Sequence, residues 1–413
     1  MNEFASLLAS QLRADVRDLP QRAQRHFSAA GQAARASTIG DLREAARRRM
    51  PRVVFDYVDG AAGDEVTAAG NVAELRAIEL RPRVLADVSQ IDTAVSVLGQ
   101  PVSVPLLGAP MGLTGLLHPD GEVALARALC DAGSICVLAA MASCSIEEVA
   151  AAVRGPVWFQ MYIWRDRGLV QDMLDRAWAA GLPVLVLTLD VPCSGNRDRD
   201  RRNGFSIPPR VTMRALAGGL AHPGWSYRFA RCPRISWGNL PGDGGPVANT
   251  LSAQTNRQFD PAANWDDLCW FRDRWPGRLV VKGVLRAEDA RRAVRLGAEG
   301  VVVSNHGGRQ LDGAPPAIRA LPAVADAVGG GAEVYVDGGI RRGADIVRAL
   351  ALGARACLAG RALAYGLGAA GEAGARRAVE ILRAELRTAL ALAGCPSATA
   401  LDASWVAAGH ELH

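Results

Sequence analysis

The sequence predicts an α/β protein of the (β/α)8 class, a TIM barrel with an N-terminal helical extension and a long insertion after its fourth strand. Three observations predict it. Eight short runs rich in Val, Leu and Ile recur from residue 104 onward, helical patterns lie between them, and 413 residues accommodate one large barrel with additions. Continuous apolar runs of this length suit parallel strands covered on both faces. The high share of hydrophobic residues (49%) and the 44 glycines fit a closely packed α/β core and exclude a disordered chain.

Taken in order, residues 1–37 read as an extension. Phe4, Leu7, Leu8, Leu12 and Val16 are scattered there, with no compact apolar segment ending in a small-residue cleavage site, so a secretory leader is not expected. Thr38-Ile-Gly-Asp41 has the form of a capping sequence ahead of a helix over Leu42 to Arg49. The predicted strands are Val104–Gly108, Ile135–Leu138, Val157–Gln160, Val184–Leu187, Leu279–Lys282, Gly300–Val303, Glu333–Val336 and Ala356–Ala359. Helical patterns cover Glu122–Ala132, Ile146–Val153, Val170–Ala180, Ala287–Leu296 and Gly343–Leu352. The spacing breaks once, between Asp190 and Arg278, where about ninety residues stand in place of the usual thirty or so. The excess, about 203–262, is rich in Pro, Gly and Arg and carries several aromatics, as expected of a lid or binding surface. The barrel unit is expected over 38–397 and a tail over 398–413.

The formal charge is +5, a mild excess suited to anionic ligands or an anionic membrane surface. A nucleic-acid binder would concentrate that charge on one face among aromatics, so nucleic acid is not an expected partner. Eight cysteines, Cys130 to Cys395, include no C-x-x-C pair and read as reduced thiols. No apolar run is long enough to span a bilayer. The histidines other than His306 (His26, His118, His222, His410, His413) show no ligand spacing, so no metal site is expected.

Catalytic residues of such barrels follow the C-terminal ends of strands. The first run leads into Ala109-Pro-Met-Gly112 and the second into Ala139-Ala-Met141. The third supplies Gln160 and Tyr162, and the fourth Thr188, Asp190 and then Arg197. Lys282 ends the fifth, Ser304-Asn-His-Gly-Gly-Arg309 follows the sixth, Asp337-Gly-Gly-Ile-Arg341 the seventh, and Gly360-Arg361 the eighth. Glycine-rich turns followed by Arg after the last two strands suit a phosphate, held by backbone N–H groups, a helix N-terminus and a guanidinium. His306 is the one histidine at a predicted strand end, and Asp190 is placed to orient it. Gly366-Leu-Gly-Ala-Ala-Gly371 matches G-x-G-x-x-G but follows the last strand and opens no second strand, so a dinucleotide site is rejected.

Ser304-Asn-His-Gly-Gly-Arg-Gln-Leu-Asp312 and Asp337-Gly-Gly-Ile-Arg-Arg-Gly343 resemble the FMN-dependent L-2-hydroxy acid dehydrogenase/oxidase family. Phe55-Asp-Tyr57, Phe159-Gln-Met-Tyr162, Val281-Lys-Gly283 and Leu350-Ala-Leu-Gly-Ala354 carry the resemblance over most of the chain, from about Thr38 to Ser397. It implies FMN as cofactor, His306 as the catalytic base paired with Asp190, and a carboxylate clamp of Arg197 and Arg309 aided by Tyr57 and Tyr162. Pro110, Met111 and Gly112 would back the flavin ring, with Lys282 at its N1/O2 edge and Gln160, Thr188 and Ser304 on the ring or ribityl chain. Asp337 would hold ribityl hydroxyls, and Gly338, Gly339, Arg341, Gly360 and Arg361 the phosphate end. A homotetramer is implied by the resemblance alone.

Ala139 stands where many members offer the flavin a hydroxyl, and Met141 and Ser194 imply a pocket roomier than glycolate requires. That points to lactate or an aryl hydroxy acid such as mandelate. Gly112 matches the mandelate dehydrogenases. His222-Pro-Gly-Trp-Ser-Tyr227 and Phe259-Asp-Pro-Ala-Ala-Asn-Trp265 resemble the quinone-linked lactate and mandelate branches. The implied acceptor is a quinone, with oxygen as the alternative. In the insertion, Arg210, Arg214, Arg228, Arg231 and Arg234, interleaved with Trp225, Phe229 and Trp237, suggest peripheral contact with the inner face of the cytoplasmic membrane. The alternative is a soluble lid in a cytoplasmic protein. A sister branch acting on modified peptides lacks an arginine at the position of Arg309, and a barrel that merely binds ligand would have lost these side chains.

Overall fold

The computed structural model describes residues 28–205, 213–232, 234, 237–240 and 258–407. Residues 1–27 of the extension, 408–413 of the tail, Arg210 and the side chain of Arg214 therefore lie outside the described residues. The eight predicted runs form one closed parallel barrel. Its strands are β1 (Leu106–Gly108), β2 (Cys136–Ala139), β3 (Val157–Tyr162), β4 (Val184–Thr188), β5 (Arg278–Val284), β6 (Gly300–Val303), β7 (Glu333–Asp337) and β8 (Ala356–Ala359). The barrel closes where β8 pairs with β1, Leu358 opposite Leu107. Strand β1 starts two residues later than the apolar run because Pro105 has no N–H for the ladder.

Helices α1 (Gly121–Asp131), α2 (Ile146–Ala152), α3 (Arg167–Ala179), α4 (Trp265–Arg274), α5 (Ala287–Arg295), α6 (Ala317–Val328), α7 (Gly343–Ala351) and α8 (Arg361–Ala393) surround the barrel. Apolar runs are buried on both sides because side chains alternate between the barrel interior and this helical ring. Trp158, Phe159 and Tyr335 are almost fully buried as a result. Helix α6 escapes a periodicity reading because Pro316 precedes it and Pro322 lies inside it. The rejected G-x-G-x-x-G lies inside α8, where Ala370 and Gly371 break the helix. The two arms fold together so closely that a Cβ on Gly366 would lie 2.3 Å from the Gly374 carbonyl oxygen. Those glycines serve packing.

Ahead of the barrel, Thr38 forms the expected capping box with Asp41 at the start of the helix Ile39–Arg49. Helices Arg52–Asp59 and Val66–Ala77 follow, then a two-stranded antiparallel ribbon, Val95–Val97 with Gln100–Val102. All eight cysteines are unpaired.

A charged knot ties this N-terminal segment to the barrel. Asp59 accepts from Arg43 Nε (2.6 Å), Arg199 Nη1 (3.0 Å) and the Tyr365 hydroxyl (2.7 Å). Burial pushes the Asp59 carboxyl up, but these donors outweigh it and bring it down to about 2. A carboxyl whose folded value lies below its unfolded value of about 3.9 stabilises the fold above that pH, and the contribution fades as pH falls toward 2. Asp59→Asn should therefore flatten the acid limb of stability between about pH 4 and pH 2, read by urea unfolding at stepped pH. An unchanged acid limb would refute that role.

Candidate active site

The C-terminal ends of the strands share one rim, and a cleft opens there. Tyr57, Pro110, Met111, Gly112, Lys282, His306, Arg309, Asp337, Gly338, Gly339, Arg341, Gly360 and Arg361 line it. Gln160, Thr188 and Ser304 are buried against the same strand ends: Gln160 Nε2 donates to Thr188 Oγ1 (3.0 Å), and Lys282 Nζ donates to Ser304 Oγ (2.9 Å). Tyr162, Asp190 and Arg197 are not among the lining residues; Asp190 meets His306 and Arg197 lies over the Tyr57 ring.

His306 Nδ1 lies 3.0 Å from Asp190 Oδ1. Burial raises the Asp190 carboxyl, but His306 and Lys282 outweigh it and hold it below the usual range, so it faces the imidazole as an anion. His306 itself has φ +58, and Gly307 and Gly308 are also left-handed. That tight turn is held by Ser304 Oγ, which accepts from His306 N (3.0 Å), and by Asn305 Oδ1, which accepts from Gly308 N (3.1 Å). Asp190 in turn needs Gly283, at φ +100, because a Cβ there would lie 2.5 Å from its carboxyl carbon.

Four aromatic and cationic groups gather beside the dyad. The Arg309 guanidinium carbon lies 5.2 Å from the Tyr57 ring centroid and that of Arg197 6.0 Å. Tyr57 stacks on Phe205 at 4.6 Å, and Tyr162 packs against Trp164 and Phe259. Burial, helped by repulsion from Arg197, brings Arg309 down to about 10, which leaves it charged at neutral pH. Its Nη1 donates to the carbonyls of Tyr57 (2.8 Å) and Gly60 (2.9 Å), while Nε and Nη2 have no acceptor among the described residues. Burial pushes both phenols up, so Tyr57 and Tyr162 stay protonated donors. Arg197 Nε reaches Asp200 Oδ2 at 3.5 Å.

At the other end of the cleft, Lys282 Nζ is 2.9 Å from Asp337 Oδ2, both side chains almost fully buried. Burial disfavours the ammonium, yet Asp337 and Asp190 more than restore it, so Lys282 stays charged. The N-terminus of α7 is already satisfied, since Asp345 accepts from the N–H groups of Arg341 and Arg342 and Glu385 from that of Gly343. Helix α8 starts without a side-chain cap at Gly360, which leaves its first N–H groups available to an anion. Gly338 and Gly339, at φ +91 and +85, turn the chain here, and a Cβ on Gly339 would lie 2.3 Å from the Asn71 carbonyl oxygen.

Sequence reasoning missed several supports of this site. Asn71 Nδ2 donates to Asn305 Oδ1 (2.9 Å) and Asn305 Nδ2 returns a bond to Asn71 Oδ1 (2.8 Å), fixing the His306 turn from behind. Glu122 accepts from Thr114, Ser143 and Cys144 N–H groups, anchoring the loop after β1. Asp200 sits in the charge-dense string Asn196-Arg-Asp-Arg-Asp200, which reads as a solvated surface. Nothing in composition distinguishes such buried polar groups from exposed ones.

The family model for FMN-dependent dehydrogenases matches residues 46–408. This chain belongs to the FMN-dependent dehydrogenase family. The L-lactate dehydrogenase of Caulobacter vibrioides is 46% identical over 367 residues, 87% of this chain and 94% of that protein. That of Haemophilus influenzae is 44% identical over 365 residues, covering 86% and 94%. Among solved structures, the monotopic membrane protein (S)-mandelate dehydrogenase superposes with TM-score 0.88 at 40% identity, covering 91% of this chain and all of the other. A mandelate oxidase with (S)-4-hydroxymandelic acid gives 0.79 at 40% identity, covering 89% and 97%.

As a member of that family this enzyme uses FMN, and the cleft fits it. Gln160 Oε1, Thr114 Oγ1 and Asp337 Oδ1 are buried without a hydrogen-bond partner, three of nine such side-chain atoms among the described residues. Unsatisfied buried acceptors are costly unless a ligand meets them. A buried cation at Lys282 and the uncapped helix beside Arg341 complete the donor set for an anionic cofactor. Among the described residues no group of His, Cys, Asp and Glu could hold a metal ion, and no helix is long and apolar enough to cross a membrane.

Proposed function

We propose that this dehydrogenase oxidises an L-2-hydroxy acid, lactate- or mandelate-like, to the 2-oxo acid. The observation that carries the reading is the juxtaposition of the His306–Asp190 pair with the buried, partly unpaired guanidinium of Arg309 in one cleft with Lys282. With Nδ1–H donating to Asp190, Nε2 of His306 is the basic nitrogen and takes the substrate proton. Asp190 stabilises the imidazolium that results. Arg309 and Arg197 grip the carboxylate as charge-assisted forks, and the protonated Tyr57 and Tyr162 donate to the substrate oxygens.

FMN, when bound, accepts the two electrons that leave the Cα–OH carbon. Lys282 would supply positive charge to the ring, and Pro110, Met111 and Gly112 would back it. Gln160, Thr188 and Ser304 serve its polar edge, Asp337 its ribityl hydroxyls. Arg341, the Gly338-Gly339 turn and the start of α8 at Gly360 and Arg361 take its phosphate. The barrel over 38–397 is the catalytic unit, and assembly as a homotetramer belongs to the same reading.

Electrons pass on to a quinone at a membrane surface. Helices Met213–Ala221 and Pro223–Arg231 support this, because Leu216, Leu220 and Tyr227 are exposed and Arg231 donates to the Tyr227 hydroxyl, whereas Arg228 Nε is buried. The aromatics expected at that surface turn inward instead. Trp225 stacks on Phe229 and donates to the Leu116 carbonyl, Trp237 is buried, and Arg234 is paired with Glu148. Apolar area drives them onto the barrel. Peripheral attachment to the cytoplasmic side of the membrane follows from this reading.

The test is anaerobic mixing with L-lactate and with (S)-mandelate. Purified protein should be yellow and should bleach with at least one of them. Reoxidation should be fast with a quinone analogue and slow with air. A folded protein that takes up no FMN, or no bleaching with any 2-hydroxy acid, overturns the substrate reading; rapid peroxide formation overturns the acceptor.

A further inference from the structure

The C-terminal turn of the helix Arg52–Asp59, which carries Tyr57, leaves carbonyls that its own ladder cannot satisfy. Two part-buried arginines, which follow β6 and β8 in the chain, meet them. Arg361 Nε donates to the Val58 carbonyl (3.1 Å) and Nη2 to that of Gly60 (2.8 Å), while Nη1 donates to Gly307 (2.7 Å) in the His306 turn. The Gly60 carbonyl also accepts from Arg309 Nη1 (2.9 Å). One guanidinium thus joins the Tyr57 helix, the turn bearing the base, and the acceptor shared with the carboxylate-gripping arginine. Each of its three nitrogens donates to a protein carbonyl, using three of the five N–H groups and fixing the plane of the fork. Burial and the neighbouring Arg341 both oppose its charge, Tyr365, Asp59 and Glu65 offset them only in part, and the three carbonyls accept the N–H groups that burial takes from water.

We infer that the Arg361 side chain is a positioning residue for the substrate clamp, and that only its backbone serves the phosphate end. The inference rests on the reading of the cleft as a 2-hydroxy acid site. It assigns the phosphate's side-chain cation to Arg341 alone. The fork geometry matters: an ammonium at 361 cannot span three carbonyls in one plane.

The experiment compares Arg361→Gln and Arg361→Lys with Arg341→Gln, each first checked for folding by circular dichroism. Two quantities are read: FMN dissociation, by flavin fluorescence on titrating stripped protein, and KM against kcat for the hydroxy acid at saturating FMN. Arg361→Gln should change FMN affinity less than about threefold and raise KM by about tenfold or more, the loss expected when charge-assisted bonds holding a binding group are removed. Arg361→Lys should recover part of the KM. Arg341→Gln should show the reverse, weak FMN with a near-normal KM once loaded. If Arg361→Gln weakens FMN as much as Arg341→Gln and leaves KM unchanged, the inference falls. If Arg361→Gln does not fold, Arg361→Lys decides by the same two readings. If wild-type flavin is bleached by no 2-hydroxy acid, the underlying reading of the site fails instead, and the FMN titrations still show which arginine serves the phosphate.

Discussion

His306→Asn should bind FMN with near wild-type affinity and lose flavin reduction by the hydroxy acid by about 10²–10⁴-fold, the usual worth of a positioned general base. Asparagine is the informative replacement because residue 306 sits at φ +58, which asparagine tolerates better than alanine does. The turn held by Ser304 and Asn305 then survives, and the change reports chemistry rather than a collapsed loop. Stopped-flow bleaching at saturating substrate measures it. Reduction within tenfold of wild type would remove His306 from the role of base.

The second large effect concerns stability before catalysis. Lys282→Met removes one partner of a buried ion pair and leaves Asp337 charged, with one oxygen already unpaired, among apolar strand ends. Breaking such a pair from one side costs about 3–5 kcal/mol. Urea unfolding of the flavin-free protein should show that loss. The double variant Lys282→Met with Asp337→Asn should recover part of it, because the stranded charge is then gone. A single variant as stable as wild type would mean that Asp337 takes up a proton or reaches water instead.

What could be read from the chain follows from where the information lies. The strands were legible because β4, β6 and the Leu279–Val281 stretch of β5 are continuous apolar runs, the pattern expected of a sheet covered on both faces. His306, Arg309, Lys282 and Asp337 were legible because a barrel sends the residues after each strand to one rim. Asn71, Glu122 and Asp59 were not. Each lies on a helix with nothing local to mark it, and only tertiary structure reveals that Asn71 and Glu122 hold backbone groups or side chains from distant loops. The inward turn of Trp225 and Phe229 was likewise hidden, since an aromatic beside arginines reads equally as surface or seam.

Gly283 is not among the residues lining the cleft, yet no side chain fits between the β5 backbone there and the carboxylate of Asp190. An engineer seeking a new substrate for this scaffold can vary Met141, Ser194 or the walls of the insertion freely by comparison. A methyl group added at 283 would dislodge the Asp190–His306 pair from beneath, so the least decorated residue of the fifth strand sets the outer limit on how far this barrel can be reprogrammed.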